Sequence, residues 1–421
     1  MLDLRFIREN VDTVRKNCRN RGLTLDLDRL IELDERRRSL IAEQQSLREQ
    51  RNKLAAELKG RKPTDEERAL GKSLKERDAA LEAELLEAQR ELRTLHLQVP
   101  NLTHPDVPVG RDETSNRELR RSGEPPSFTF SPRDHVELAA LHDLVDFDGG
   151  AKVAGQKFYF LKNELVLLEQ ALIRYALDHL RERAFTLFQT PDLARTEVAE
   201  GLGFNPRGEE TQVYSIANDD LVLIGTAEIT LGGLHRDEIL DVERLPLRYC
   251  GLSHCFRTEA GAAGRASKGL YRVHQFTKVE MFAFTRPEDS EALHEELLSI
   301  EEELFAGLEI PFRVVDVCTG DLGAPAYRKF DLEAWMPGRA DSGDWGEITS
   351  TSNCLDYQAR RLGIRYRDER TGKTRFVHML NGTAIAISRA LIPLLEIHQR
   401  DDGSIEIPAR LRPYAGFDRI G

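Results

Sequence analysis

Leucine recurs at sevens at Leu33, Leu40, Leu47 and Leu54, and after a break the pattern resumes at Leu74, Leu81, Ala88 and Leu95, joined by Leu85, Leu92 and Val99. Apolar residues at the a and d positions of a heptad make a narrow seam that is buried only against another helix. The surrounding stretch, 29–99, is dominated by Leu, Glu, Arg, Lys, Gln and Ala, with no Phe, Trp or Tyr and a single proline. The break between the two runs, Lys59–Asp65, holds Gly60 and Pro63 and offers Thr64 as the N-cap of the second helix. Two helices of roughly 30 residues joined by so short a connection fold back antiparallel, giving a hairpin about 45 Å long at 1.5 Å per residue.

Charge refines this picture. The whole chain carries −12, which argues against a protein that coats nucleic acid through bulk charge. Residues 29–99 are nearly neutral, with 16 Lys/Arg against 15 Asp/Glu, but residues 48–77 around the turn hold 10 basic against 6 acidic. The ordinary use of a coiled coil is as a spacer or dimerisation element. A basic tip on an acidic chain is also what a phosphate backbone selects.

Other classes are excluded by composition. Of the 421 residues 31% are charged and 40% apolar, as in an ordinary globular chain of two or three domains. No apolar run approaches the roughly 18 residues that span a bilayer. The start, MLDLRFIREN, lacks the apolar core of a secretory signal, so a cytoplasmic, bacterial-type protein is expected. The five cysteines (Cys18, Cys250, Cys255, Cys318, Cys354) form no CxxC pair, so neither a structural zinc nor a disulfide framework is expected. Cys250 and Cys255 read as two small buried residues.

Residues 100–130 are rich in Pro, Gly and polar residues without periodicity and read as a linker, dividing the chain into 1–105 and 106–421. In the second part, 162–183 has helical periodicity and leads into a short strand closed by Pro191. Residues 212–216 and 220–224 read as a hairpin about Asn218-Asp219. Alternation over 270–284 (LYRVHQFTKVEMFAF) predicts a strand with one buried and one working face, ending near Glu280. The fold expected is α+β, an antiparallel sheet flanked by helices, preceded by the two-helix coiled coil. Neither GxGxxG nor GxxxxGK[ST] is present, so any nucleotide is held without a glycine loop around its phosphates.

Several charges fall where a core strand should carry none. Arg257 and Glu259 alternate in what reads as one strand; Glu280 follows Arg272, His274 and Lys278; Glu347 precedes Ile348-Thr349-Ser350; Arg389 follows Asn381–Ser388, read as an apolar helix start. Buried charges need ligands or each other, and any single one is commonly a structural ion pair.

These segments resemble the three signature motifs of class II aminoacyl-tRNA synthetases: motif 1 at about 165–191, motif 2 at about 255–282 and motif 3 at about 380–396. The TAE at Thr226–Glu228, HQFTKVEMF, CTGDLG at 318–323 and the helical hairpin are similar to seryl-tRNA synthetases, over essentially the whole chain. The resemblance implies activation of L-serine with ATP and transfer to the 3′ end of tRNA(Ser), with tRNA(Sec) a further candidate. It implies that Arg257 bridges carboxylate and α-phosphate, that Arg389 takes the γ-phosphate, and that Glu347 with Ser350 holds Mg²⁺. The ATP site would comprise Arg257, Thr258, Glu259, Val273, Phe276, Glu347, Ile348, Thr349, Ser350 and Arg389, with Phe276 stacked on adenine. Thr226, Ala227 and Glu228 would hold the substrate ammonium, and Glu280 and Thr383 its hydroxyl. The hairpin would contact tRNA held by the other subunit of a homodimer. Departures from the family pattern are the stretch Gly201–Gly208, Thr258 and Thr383 where serine is commoner, and a small insertion at 338–346. Two other readings share these motifs: a paralogue that loads a carrier protein, and a non-catalytic RNA-binding relative.

Overall fold

The computed structural model describes residues 1–204, 213–260, 268–368 and 371–421. Met1–Leu102 and Thr103–Gly421 are separate compact units.

In the first unit the heptads form two helices, α1 (Leu27–Glu57) and α2 (Asp65–Gln98). Leu40, Leu47, Leu74, Leu81 and Ala88 are buried along their seam, with Leu54 and Leu85 packed alongside. The ion pairs Arg29–Glu91 (3.0 Å), Arg36–Glu84 (3.9 Å) and Arg77–Glu43 (2.7 Å) run up one helix and down the other, so the pair is antiparallel. Such exposed pairs contribute about 1 kcal/mol at most; the seam holds the hairpin. Thr64 caps α2 as expected: its Oγ1 accepts from Glu67 N (3.2 Å) while Glu67 Oε2 accepts from Thr64 N (2.8 Å). At the other end the seam broadens. Leu30, Leu33, Leu92 and Val99 join Ile7, Val14 and Cys18 from the short helices Leu4–Glu9 and Val11–Asn20 in one cluster.

Among the described residues, the second unit is built on an eight-stranded sheet: β1 (Arg117–Ser122), β2 (Thr186–Gln189), β3 (Leu247–Phe256), β4 (Gln275–Thr285), β5 (Phe312–Asp316), β6 (Arg328–Met336), β7 (Asp344–Asn353) and β8 (His378–Ala386). The spatial order is β1-β5-β6-β7-β8-β4-β3-β2, antiparallel throughout except that β2 lies parallel to β3. Helices α3 (Glu164–Glu182), α6 (Ser290–Gly307) and α8 (Ile387–Ile397) cover one face and bury Leu168, Leu172, Leu297 and Leu394 against Val279, Met281, Phe330 and Leu332. On the other side, α4 (Thr196–Leu202), α5 (Ala227–Gly233) and α7 (Tyr357–Leu362) contribute to a second cluster around Phe282 and Phe284. Strand β4 thus sends Val279 and Met281 to one core and Phe282 and Phe284 to the other, as a period of two requires.

Four expectations are corrected. The strand over 270–284 begins only at Gln275, because β3 stops pairing at Phe256 opposite it. Glu280 therefore sits mid-strand, and Arg257–Glu259 lie beyond the end of β3, with Glu259 turned to φ +51°. Residues 381–386 are strand: β8 pairs with β4 and β7, and the helix starts at Ile387. The linker at 100–130 contains β1, a charged edge strand (RELRRS) paired with β5, whose single apolar residue, Leu119, gives no alternation to mark it. The hairpin about Asn218 is present in its described part, with Leu223 N donating to Tyr214 O (2.8 Å) and Ile216 N to Leu221 O (3.0 Å); residue 212 lies outside the described residues.

Candidate active site

Two irregularities in the sheet create the site. Between Leu332 and Glu333 of β6 the register with β7 shifts: Leu332 faces Thr349, but Glu333 faces Glu347, leaving Ile348 as an extra residue. Strict alternation would put Glu347 and Ser350, three apart, on opposite faces; this bulge returns both to the same face. A second shift lies between Thr383 and Ile385 of β8, where Thr383 faces Glu280 and Ala384 is extra. Ala384 and Ile385 both enter the core beneath, while Thr383 stays with Glu280.

The result is a cavity of about 330 Å³. Of the fifteen residues expected there, thirteen border it: Thr226, Glu228, Arg257, Glu259, Val273, Phe276, Glu280, Glu347, Ile348, Thr349, Ser350, Thr383 and Arg389. Ala227 and Thr258 do not. Ala227 is fully buried in the core beside Gly251, on the opposite side of α5's first turn. Ile348 is packed in the core, and Thr349 donates its hydroxyl to the buried Glu301 (2.8 Å), so both offer a ligand backbone rather than side chain. The second half of the departing stretch, 205–208, and the motif 2 loop, 261–267, lie outside the described residues.

Charges in the cavity are arranged unevenly. At one end Arg389 pairs with Glu347 (2.8 Å), and its guanidinium lies over the Tyr271 ring at 5.0 Å. Burial alone would raise the Glu347 pKa, but Arg389 and then Lys329 outweigh it and hold the carboxylate well below its usual range. Arg272 pairs with Glu259 (3.1 Å). Arg257 is different. Its Nε donates to Gly225 O (3.2 Å), its guanidinium lies 5.4 Å from the Phe276 ring centre, and among the described residues it has no carboxylate partner.

At the other end Lys278, Glu280 and Thr383 form a buried triad: Lys278 Nζ is 2.5 Å from Glu280 Oε2, and Thr383 Oγ1 donates to the same oxygen at 3.2 Å. Beside it Glu228 is buried without a paired cation among the described residues, accepting from Gln358 Nε2 (2.7 Å). Burial first, then the Glu280 charge, pushes its pKa up to about 7. Among the described residues the cavity therefore keeps one cation and one acid without counter-ions, which suits a ligand that brings both charges.

Several bordering residues were not singled out from the sequence, among them Lys329, Tyr271 and Asn381. Lys329 could have been found: Lys329, Asp331 and Glu333 alternate on β6, a charged face in a strand whose other face, Phe330, Leu332 and Ala334, is core. Asp331, across from Ser350, is raised by burial and has an oxygen without a partner among the described residues.

A long antiparallel sheet cradling such a cavity defines a class II synthetase core, and the tRNA synthetase class II core domain (G, H, P, S and T) matches over residues 212–398. The Seryl-tRNA synthetase N-terminal domain matches over residues 1–103. The chain is 58% identical to a serine–tRNA ligase of Treponema denticola and 59% to one of Rubrobacter xylanophilus, each over 100% of this chain and 99–100% of the relative. It superposes on the crystal structure of seryl-tRNA synthetase from Pyrococcus horikoshii complexed with ATP with TM-score 0.89 at 42% identity, covering 100% of this chain and 99% of that one. The chain belongs to the seryl-tRNA synthetase family.

Proposed function

We propose that this cavity carries out the chemistry of the family on the residues just described. The chain is a serine–tRNA ligase, which activates serine with ATP and charges tRNA. The observation that carries the assignment of sites is the pair of unmatched charges, Arg257 and Glu228, in one cavity. A zwitterionic amino acid supplies the ammonium that Glu228 lacks and the carboxylate that Arg257 lacks. The hydroxyl of serine would bond Glu280 and Thr383; a substrate without it would cover the buried triad without supplying that bond.

Adenylation brings a carboxylate against an α-phosphate, so a fixed cation between them does most of the work. Arg257 fits that task, since no carboxylate among the described residues already neutralises it. Arg389 would bind the γ-phosphate and Phe276 would stack on adenine. Glu347 and Ser350 fit Mg²⁺, because the first is held ionised and Mg²⁺ needs only one or two protein oxygens beside phosphates and water. The ion would neutralise phosphate charge. For partners, the basic turn of the hairpin supports contact with tRNA(Ser), and tRNA(Sec) is a further candidate. Motif 1 exposes Val166, Leu167 and Leu187 on α3 and the edge strand β2, which supports a homodimer through that surface. No described helix is long and apolar enough to cross a membrane. The need for tRNA and ATP as substrates is what places the enzyme in the cytoplasm in this proposal.

The test is ATP–pyrophosphate exchange with serine, threonine, alanine and cysteine, followed by charging of serine tRNA. Serine-dependent exchange with stable charging is expected. Exchange without charging points to another acceptor, such as a carrier protein, and no exchange with any of the four overturns the site assignment.

A further inference from the structure

Glu228 lies at the start of α5, where Thr226 caps the helix by accepting from Glu228 N (3.2 Å). The cap fixes the backbone but not the carboxylate at the end of two further methylenes. Among the described residues the side chain that does reach it is Gln358, from α7. Gln358 is fully buried, and its Nε2 makes two bonds, to Glu228 Oε1 at 2.7 Å and to Leu202 O at 3.0 Å. Both partners are acceptors, so the amide can face only one way. Its Oε1 is left without a partner among the described residues, a desolvation cost that a plain core residue would avoid.

The second bond leads elsewhere. Leu202 is the last residue of α4, and the final carbonyls of a helix find no donor within it. Helix α7 supplies the donors: Gln358 takes Leu202 O, and Arg361 Nη1 donates to Glu200 O (2.9 Å) while its Nη2 donates to Tyr357 Oη (2.6 Å). Two residues beyond Leu202, Phe204 borders the cavity. One amide therefore joins the acid beneath the proposed ammonium site to the segment that leads to the cavity wall.

We propose that Gln358 is a positioning residue of the serine site, orienting the Glu228 carboxylate toward the substrate ammonium and tying that orientation to the end of α4. The proposal rests on the reading of Glu228 given above. Gln358 bonds at the serine end: among the described residues the hydrogen bonds, ion pairs and ring contacts of Arg257, Phe276 and Arg389 run to Gly225, Tyr271, Glu347 and each other, not to α7.

A pH signature follows. Glu228 must be ionised to pair with an ammonium. The groups facing it are Glu280 and Lys278 of β4, Arg257 beyond β3 and Gln358 of α7; Glu280 raises its pKa, and the other three lower it. Removing the Gln358 donor shifts it further up. The KM for serine then starts to climb, on acidification, at a higher pH than in the wild type.

The experiment is ATP–pyrophosphate exchange on the full chain, titrating serine and ATP separately from pH 6 to 9, for wild type and Gln358→Leu. The expected result is a serine KM raised about tenfold or more, the range for a lost hydrogen bond to a charged group. The ATP KM should stay within about twofold, and the acidic limb of the serine profile should move to higher pH. Gln358→Met, close in volume and without a donor, gives the same reading should the leucine variant fail to fold. A serine KM and pH profile unchanged in a folded variant overturn the proposal, as do serine and ATP KM rising together with a lowered Tm. A wild type inactive with serine overturns the site assignment and this proposal with it, whereas an active wild type beside an indifferent variant overturns this proposal alone.

Discussion

The helical hairpin and the catalytic sheet use opposite means to place their residues. In the hairpin a repeat of seven puts Leu40, Leu47, Leu74, Leu81 and Ala88 on one seam, and every turn does the same job as its neighbours. In the sheet the working residues sit where the repeat fails: Glu347 and Ser350 share a face because Ile348 is bulged, and Thr383 pairs with Glu280 at the last position before the register shifts at Ala384. A regular element spreads its stability over many equivalent contacts. An irregular one concentrates function in a few residues that stabilise little. Substitutions should therefore separate the two regions cleanly.

The largest effect should come from Arg257→Ala. Among the described residues the side chain holds no carboxylate of its own protein, so the Tm should stay within a degree or two. Pyrophosphate exchange should fall by about 10²–10³-fold, the usual loss when a group that stabilises developing charge is removed. A fall in Tm comparable to that of a core truncation, with exchange preserved, would show Arg257 to be structural and erase the contrast.

That contrast also explains how far the sequence could be read. The heptads, the Thr64 cap and the charged segments were all legible, since each rests on residue types at short fixed spacing. The ordered motifs carried the resemblance, and thirteen of the fifteen residues taken from it border the cavity. Ala227 does not border the cavity, because neighbours in a helix start point different ways and a motif written as three letters hides that. The strand at 381–386 reads as helix because a bulge at Ala384 disrupts the alternation that marks a strand, leaving mostly small residues with no period of two. Gln358 left no signal: one amide in a short helix looks like any other until Glu228 and Leu202 O are seen on either side of it.

Leu81→Ala tests the hairpin side. Leu81 is fully buried at the middle of the seam, and truncation of such a leucine costs about 2–5 kcal/mol. The loss should appear as faster amide exchange along α1 and α2. Serine-dependent pyrophosphate exchange should be unchanged within about twofold, and charging of serine tRNA should weaken if the hairpin holds the RNA. Equal losses in exchange and charging would show that the two regions are not separable.

The smallest effect, and the sharpest, is expected from Thr64→Ala. It removes the oxygen that accepts from Glu67 N, one half of the reciprocal pair at the start of α2. Loss of an N-cap costs about 1 kcal/mol, and the cost should stay local, because Leu74 and Leu81 remain to hold the seam beyond the first turns. Amides of residues 65–69 should exchange several-fold faster, while those around Ala88, further along the seam, and those of the whole catalytic unit keep their rates. The turn is also the most basic part of the hairpin, so the same variant asks what RNA contact requires there. If the turn binds phosphate through loosely held side chains, charging should be nearly unaffected by a frayed cap. A large loss of charging from so small a change in stability would mean that the turn must be rigid to be recognised, and that the hairpin, like the sheet, places its working residues by a local irregularity.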